Sequence, residues 1–162
     1  MRHYSGRMSY DLAVFDPECV PQEREAFLTW FQNQMEWNDP IDYNDPANAT
    51  KALRSFVDEI FHTFPPLNGP MASEELSEDE ALTADYGIAQ HLVYIAFAWS
   101  KAAQASETVF RLAAKNNLGF YDVSSPNGEV WLPKSGTLAL SSKEKVSLVS
   151  RVRKLIHAYR SP

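Results

Sequence analysis

The sequence predicts an α+β fold: a single domain in which a mostly antiparallel sheet packs with about four helices. Its 162 residues fit one ordinary domain with one core. Apolar runs of strand length alternate with stripes of helical spacing, in the order β-α-α-β(β)-α-β-β-α. No apolar run approaches the ~20 residues that a membrane-spanning helix needs, which favours a soluble protein.

Four elements are predicted in the first half: a strand (10–15), a helix (21 to about 37), a loop rich in Asp, Asn and Pro (38–48), and a second helix (50–64). The strand is expected to be buried on both faces, because its apolar run is nearly continuous and ends at Asp16-Pro17. Pro21 can start the first helix. The second helix has a one-sided apolar stripe: Leu53, Phe56, Val57, Ile60, Phe61 and Phe64.

The second half contains an acidic connection (73–85), one or two strands (86–99) with a hairpin bend near Gln90-His91, a helix (100–116), two strands (118–123 and 129–132) and a last helix. Ser100 is expected to cap the third helix. Ser141 and Glu144 fit a capping box at the start of the last helix. Trp30, Trp99 and Trp131 are expected to pack in the core.

Charge is divided unevenly along the chain. The net charge is −6, and the region before residue 134 holds every acidic side chain except Glu144. The last 29 residues are basic through Lys134, Lys143, Lys145, Arg151, Arg153, Lys154 and Arg160. An anionic body disfavours binding to a phosphate backbone and favours a basic protein partner. We therefore expect no nucleic-acid and no membrane partner, and the basic last helix either touches an anionic surface or balances the acidic body.

Motifs for cofactor and metal chemistry are missing from the sequence. No GxGxxG or P-loop pattern is present, and a single cysteine, Cys19, excludes a disulfide framework and a Cys-rich zinc site. Asp58 and His62 have the i,i+4 spacing of two metal ligands, but no third ligand is evident. We predict no cofactor and no metal, and we assign no catalytic residue.

Two other classes of function stay open. His91 and Asp85 could form a dyad with Ser100, Ser124 or Cys19 as nucleophile, which would make the chain a small hydrolase or transferase. Alternatively, the chain is a structural module that forms a homo-oligomer through an exposed apolar patch. The sequence therefore does not decide whether the protein is an enzyme, although it favours a protein without catalytic activity.

Two acidic segments are the candidate partner-binding site. The 38–48 loop and the residue before it interleave carboxylates with aromatic rings, a mixture that suits anionic steering and anchoring of a protein partner. Calcium binding and a plain structured loop are the alternatives, although the central Gly and closing Glu of an EF-hand are missing. The predicted site residues are Trp37, Asp39, Asp42, Tyr43 and Asp45, extended by Glu74, Glu75, Glu78, Asp79 and Glu80.

The N-terminus has positive charge but no apolar segment after it, so it does not resemble a signal peptide. We expect residues 1–7 to be a disordered extension or an expression remnant, and residues 8–162 to be the single α+β domain. The expected location is the cytoplasm.

Four segments of the chain resemble small bacterial proteins, some of which are similar to the immunity proteins paired with secreted antibacterial toxins. They are MSYDLAVFDP (8–17), FPPLNGP (64–70), DYGIAQHLVYIAFAWS (85–100) and LGFYDVSSPNGEVWLP (118–133). The resemblance implies a cytoplasmic protein that binds and inhibits a toxin, and it implies no catalytic residues.

Overall fold

A computed structural model of the chain describes residues 8–75 and 78–143. Within them the α+β prediction is confirmed, with one antiparallel sheet and three α-helices. The elements are β1 (Ser9–Phe15), α1 (Arg24–Gln34), α2 (Lys51–Ile60), β2 (Asp85–Ile88), β3 (Leu92–Ala98), α3 (Ala102–Lys115), β4 (Gly119–Tyr121), β5 (Val130–Lys134) and β6 (Thr137–Ser142). Short 3-10 turns lie at Pro46–Asn48, Glu80–Leu82 and Trp99–Lys101.

The six strands are ordered β2-β3-β1-β4-β5-β6, so β1 pairs on both sides. It runs antiparallel to β3 with Asp11 opposite Ala96, and to β4 with Val14 opposite Phe120. Its last four residues are buried, which confirms that this end of the strand is covered on both faces. The hairpin bend near His91 is also confirmed, because it joins β2 to β3.

Two apolar clusters lie on the two faces of the sheet. Helices α2 and α3 cover one face, which we call the α2/α3 face, where they pack on side chains such as Leu12, Ile95 and Phe97. Helix α1 packs on the other, the α1 face, where its Phe27 meets Phe15. Apolar burial of this kind is the main stabilising term of the fold.

Helices α1 and α3 begin at residues other than the predicted ones, because hydrogen bonds and turns at their N-termini, and not apolar spacing, set where each helix starts. Helix α1 begins at Arg24 and not at Pro21, because the Glu23 carboxylate accepts the N–H groups of Glu25 and Ala26 and caps it there. Helix α3 begins at Ala102 after a 3-10 turn, and Ser100 makes no capping bond.

Two predictions need correction. Trp99 is 53% exposed rather than in the core, because the turn after β3 directs it outward, edge-on to Tyr10. Ser141 belongs to β6, an additional strand that pairs with β5, so it does not cap a helix. The other residues of the predicted fourth helix lie outside the described part of the chain, as do residues 1–7.

Candidate functional site

The 38–48 loop covers the outer edge of β2. The backbone oxygen of Tyr43 accepts the Ile88 N–H at 2.7 Å. The Asn48 side-chain amide donates to the backbone oxygens of Asp42 at 2.7 Å and of Ile88 at 3.1 Å. Because edge-strand groups are otherwise open to pairing with another chain, these bonds both satisfy the edge and fix the loop. The loop is therefore a built part of the fold.

Trp37 and Tyr43 hold this loop on the sheet. The Trp37 ring lies so close over Gly87 that a Cβ there would collide with it. Tyr43 packs edge-on against Trp37, with ring centroids 4.9 Å apart, and its hydroxyl accepts the Asp39 N–H at 2.8 Å. Both rings are half-buried. The two aromatic residues predicted to anchor a partner thus anchor the loop first and present only part of each ring to solvent.

The three loop carboxylates differ in how much of each is left for a partner. Asp39 and Asp42 are exposed, whereas Asp45 is half-buried. Asp42 Oδ1 accepts the backbone and side-chain N–H groups of Asn44, both at 3.0 Å, and these bonds lower the pKa of Asp42. Asp45 accepts the Ala47 N–H at 2.9 Å and caps a 3-10 turn. Asp39 and Asp42 are therefore the loop carboxylates most open to a partner, and the bonds from Asn44 favour the charged form of Asp42.

The acidic connection lies at the other end of β2. Glu74, Glu75, Glu78 and Glu80 are exposed. Asp79 pairs with Lys101 at 2.7 Å, and that contact lowers the pKa of Asp79; its other oxygen accepts the Ala81 N–H at 3.0 Å. The connection leads into β2 at Asp85, while the 38–48 loop contacts Ile88. The two predicted acidic segments thus adjoin opposite ends of β2.

His91 and Asp85 occupy opposite ends of the β2–β3 hairpin. Asp85 lies opposite Ala96, whereas His91 is in the turn, where its backbone oxygen accepts the Asp16 N–H at 3.1 Å. His91 Nδ1 is buried and has no hydrogen-bond partner in the described ranges. The hairpin register keeps the two side chains of the predicted dyad apart.

The candidate nucleophiles are equally dispersed. Ser124 Oγ accepts the Asp11 N–H at 2.7 Å, so it is used to hold β1, and Ser100 is exposed. Desolvation, followed by Asp16 and Glu18, raises the pKa of the exposed Cys19 thiol, which makes its reactive thiolate scarcer.

Among the described residues, no group of three or more His, Cys, Asp or Glu side chains is arranged to hold a metal ion. A cavity of about 470 Å³ lies at the far end of β1, with Asp16, Glu18, Asn116 and Asn117 in its wall. It is separate from every residue predicted to act on a partner.

Comparisons with protein-family models, curated proteins and solved structures found no match to this chain. None of the helices in the described ranges is both long and apolar enough to cross a membrane.

Proposed function

We propose that this protein is an inhibitory binding protein that blocks a basic partner, in the manner of the immunity proteins that neutralise secreted toxins. The observation that supports the proposal best is the exposure of the Asp39 and Asp42 carboxylates on a loop anchored by Trp37 and Tyr43. The site would act in the bacterial cytoplasm on a protein and would need no cofactor.

Preorganisation is what makes such a loop suited to tight binding. Association costs conformational entropy when a loop must be ordered, and a loop that is already fixed avoids this cost. Here backbone bonds to β2 and a side-chain amide fix the loop before any partner arrives. The loop can then present its charges without rearrangement.

The net negative charge of the protein also favours binding to a basic partner. The chain has a net charge of −6, and a negative field speeds encounter with a positively charged cleft by roughly 10- to 1000-fold. A cleft that handles nucleic acid or another anionic substrate is lined with Lys and Arg, and carboxylates fixed against it would occlude it. Asp39 and Asp42 would supply much of this field at the contact.

The test needs a defined partner, and the product of the adjacent gene is the first to use. We expect it to co-purify with the full chain and to lose its toxicity when the two are co-expressed. The double variant Asp39→Lys/Asp42→Asn should lower the association rate constant by about tenfold or more at low salt, and the loss should shrink as salt rises. Stopped-flow mixing measures both.

The variant is chosen to keep the loop folded. Asp42→Asn retains an oxygen that can accept the bonds from Asn44, and Asp39 takes part in the loop through its backbone N–H. Asp58→Lys/Glu107→Gln is the matched control, because it changes the net charge by the same amount and both are exposed carboxylates, on α2 and α3, on the opposite side of the sheet. Equal association rates for the double variant and this control would contradict the proposal.

A further inference from the structure

The α1 face of the sheet is left partly uncovered. Along β3 the burial alternates: Val93, Ile95 and Phe97 on the α2/α3 face are buried, whereas Tyr94, Ala96 and Ala98 on the α1 face reach solvent. The same alternation occurs in β2, where Asp85 and Gly87 reach solvent. Period-two burial of this kind marks a sheet that is covered on one side only.

Two carboxylates stand in one row on this uncovered surface. Ala96 of β3 lies opposite Asp11 of β1 on one side and opposite Asp85 of β2 on the other. Residues directly opposite one another project from the same face, so both carboxylates rise beside the small Ala96 side chain. Two strand spacings place their Cα atoms about 10 Å apart.

The next row of the sheet forms one wall of this surface. Tyr94 lies opposite both Ala13 and Gly87, and the Trp37 ring covers Gly87 at a centroid distance of 6.2 Å from the Tyr94 ring. We call the surface formed by Asp11, Asp85, Gly87, Tyr94 and Ala96 the open patch. Ala96 lies between the two carboxylates, and the rings of Tyr94 and Trp37, the latter lying over Gly87, form an aromatic wall beside it.

The charges of the open patch are not neutralised by the described part of the chain. The two ion pairs among the described residues are Lys101–Asp79 and Lys115–Glu59, and neither involves a residue of the open patch. Asp11 Oδ2 accepts the Tyr94 hydroxyl at 2.5 Å, while its buried Oδ1 has no hydrogen-bond partner among the described residues. Asp85 Oδ1 has only a 3.5 Å contact from the Asn68 amide. The buried Oδ1 of Asp11 is closed to a partner, so the acceptor capacity that the fold leaves for one is that of Asp11 Oδ2, beside the Tyr94 hydroxyl, and of the Asp85 carboxylate.

We propose that the open patch is the second half of the partner-binding surface, and that it binds an arginine side chain of the basic partner between Asp11 and Asp85. This inference rests on the proposed function. A guanidinium group offers hydrogen-bond donors on opposite edges, so one group can donate to carboxylates on both sides of it. Its flat face can lie on Ala96 beside the rings of Tyr94 and Trp37, where cation–π attraction adds to the charge pairing.

A hexa-arginine peptide amide is the probe, with a hexa-citrulline peptide of the same shape but without charge as its control. In spectra of the ¹⁵N-labelled full chain, arginine peptide should shift the backbone signals of Gly87 and Ala96 and the Trp37 indole signal. The double variant Asp11→Asn/Asp85→Asn should raise the Kd by about tenfold or more, because charge-assisted hydrogen bonds are lost. Asn retains an oxygen that can accept the Tyr94 hydroxyl, so the variant keeps that bond.

Asp58→Lys is the control, because it changes the net charge by the same amount as Asp11→Asn/Asp85→Asn. Two outcomes would overturn the inference: shifts that avoid the open patch, and a Kd for Asp11→Asn/Asp85→Asn that equals the Kd of this control.

The same peptide separates this inference from the proposed function. If Asp39→Lys/Asp42→Asn weakens binding while the patch variant behaves as the control does, the inference fails and the proposed function stands. If neither double variant weakens binding of the peptide or of the adjacent gene's product, the proposed function fails as well.

Discussion

The two faces of the sheet differ in how completely they are covered. On the α2/α3 face every large side chain of β3 is buried, whereas on the α1 face only the end near Phe15 is covered and the end near Asp11 is open. Helix α1 has 11 residues, hence a length of about 16 Å, and six strands span about 24 Å. One short helix cannot cover such a sheet. The contrast shows that both faces bury apolar side chains, but that only the α2/α3 face is packed along the whole of β3.

The largest expected effect is a difference in unfolding free energy between substitutions at two neighbouring residues of β3, whose side chains point to opposite faces of the sheet. Ile95→Ala should lower the free energy of unfolding by about 2–5 kcal/mol, because Ile95 is fully buried on the α2/α3 face. Ala96→Ser should change it by no more than about 0.5 kcal/mol, because Ala96 reaches solvent. Urea unfolding of both variants measures the difference. Similar losses for the two would mean that the open patch is covered.

Much of the fold could be predicted from the sequence where local spacing decides burial. The stripe of α2 is correct: Leu53, Phe56, Val57 and Ile60 are all buried, although the helix ends at Ile60 rather than at Phe64. The edge strand β6 was missed because the chain around Ser141 is polar, and a capping-box pattern competed with a weak alternation in which only Leu138 is buried.

The open patch could not be predicted, because it depends on register. Asp11 and Asp85 are far apart in sequence and meet only through their shared opposite residue, Ala96. A local signal did exist in the alternation of Ile95 and Phe97 with Ala96 and Ala98. Since alanine is apolar too, this alternation does not separate a strand covered on one face from a strand covered on both.

Substitution of two glycines that lie under aromatic rings, Gly119 and Gly87, tests how tightly the covered and open ends of the α1 face are packed. A Cβ on Gly119 would collide with Phe15, and a Cβ on Gly87 would collide with Trp37. Phe15 is fully buried and cannot move away, so Gly119→Ala should cost about 1–3 kcal/mol or more of unfolding free energy. Gly87→Ala should cost less and should shift the Trp37 fluorescence instead, because the half-buried ring can move outward. An equal or larger cost for Gly87→Ala would show that the open end is as tightly packed as the covered end.

The smallest effect concerns Asp122, a half-buried carboxylate below Tyr10 on the α2/α3 face. Burial raises the pKa of Asp122, and the nearby charge of Glu129 raises that pKa further. A raised pKa means that the folded state binds the proton more tightly than the unfolded state. Wild-type stability should therefore improve relative to Asp122→Asn as the pH falls through the folded-state pKa of Asp122, and level off below the ordinary aspartate value of about 3.9.

Glu59 on the same face provides the control of opposite sign. The contact with Lys115 lowers the pKa of Glu59, so the wild type should be more stable than Glu59→Gln above the ordinary glutamate pKa and should lose that advantage as the pH falls. The advantage should be about 0.2–1 kcal/mol, because the ion pair is largely exposed. Unfolding free energies of both variants between about pH 3 and pH 7 cover both titrations. Opposite slopes are expected because desolvation dominates at Asp122 whereas the contact with Lys115 dominates at Glu59, and parallel slopes would contradict the description of Asp122 as a partly desolvated group.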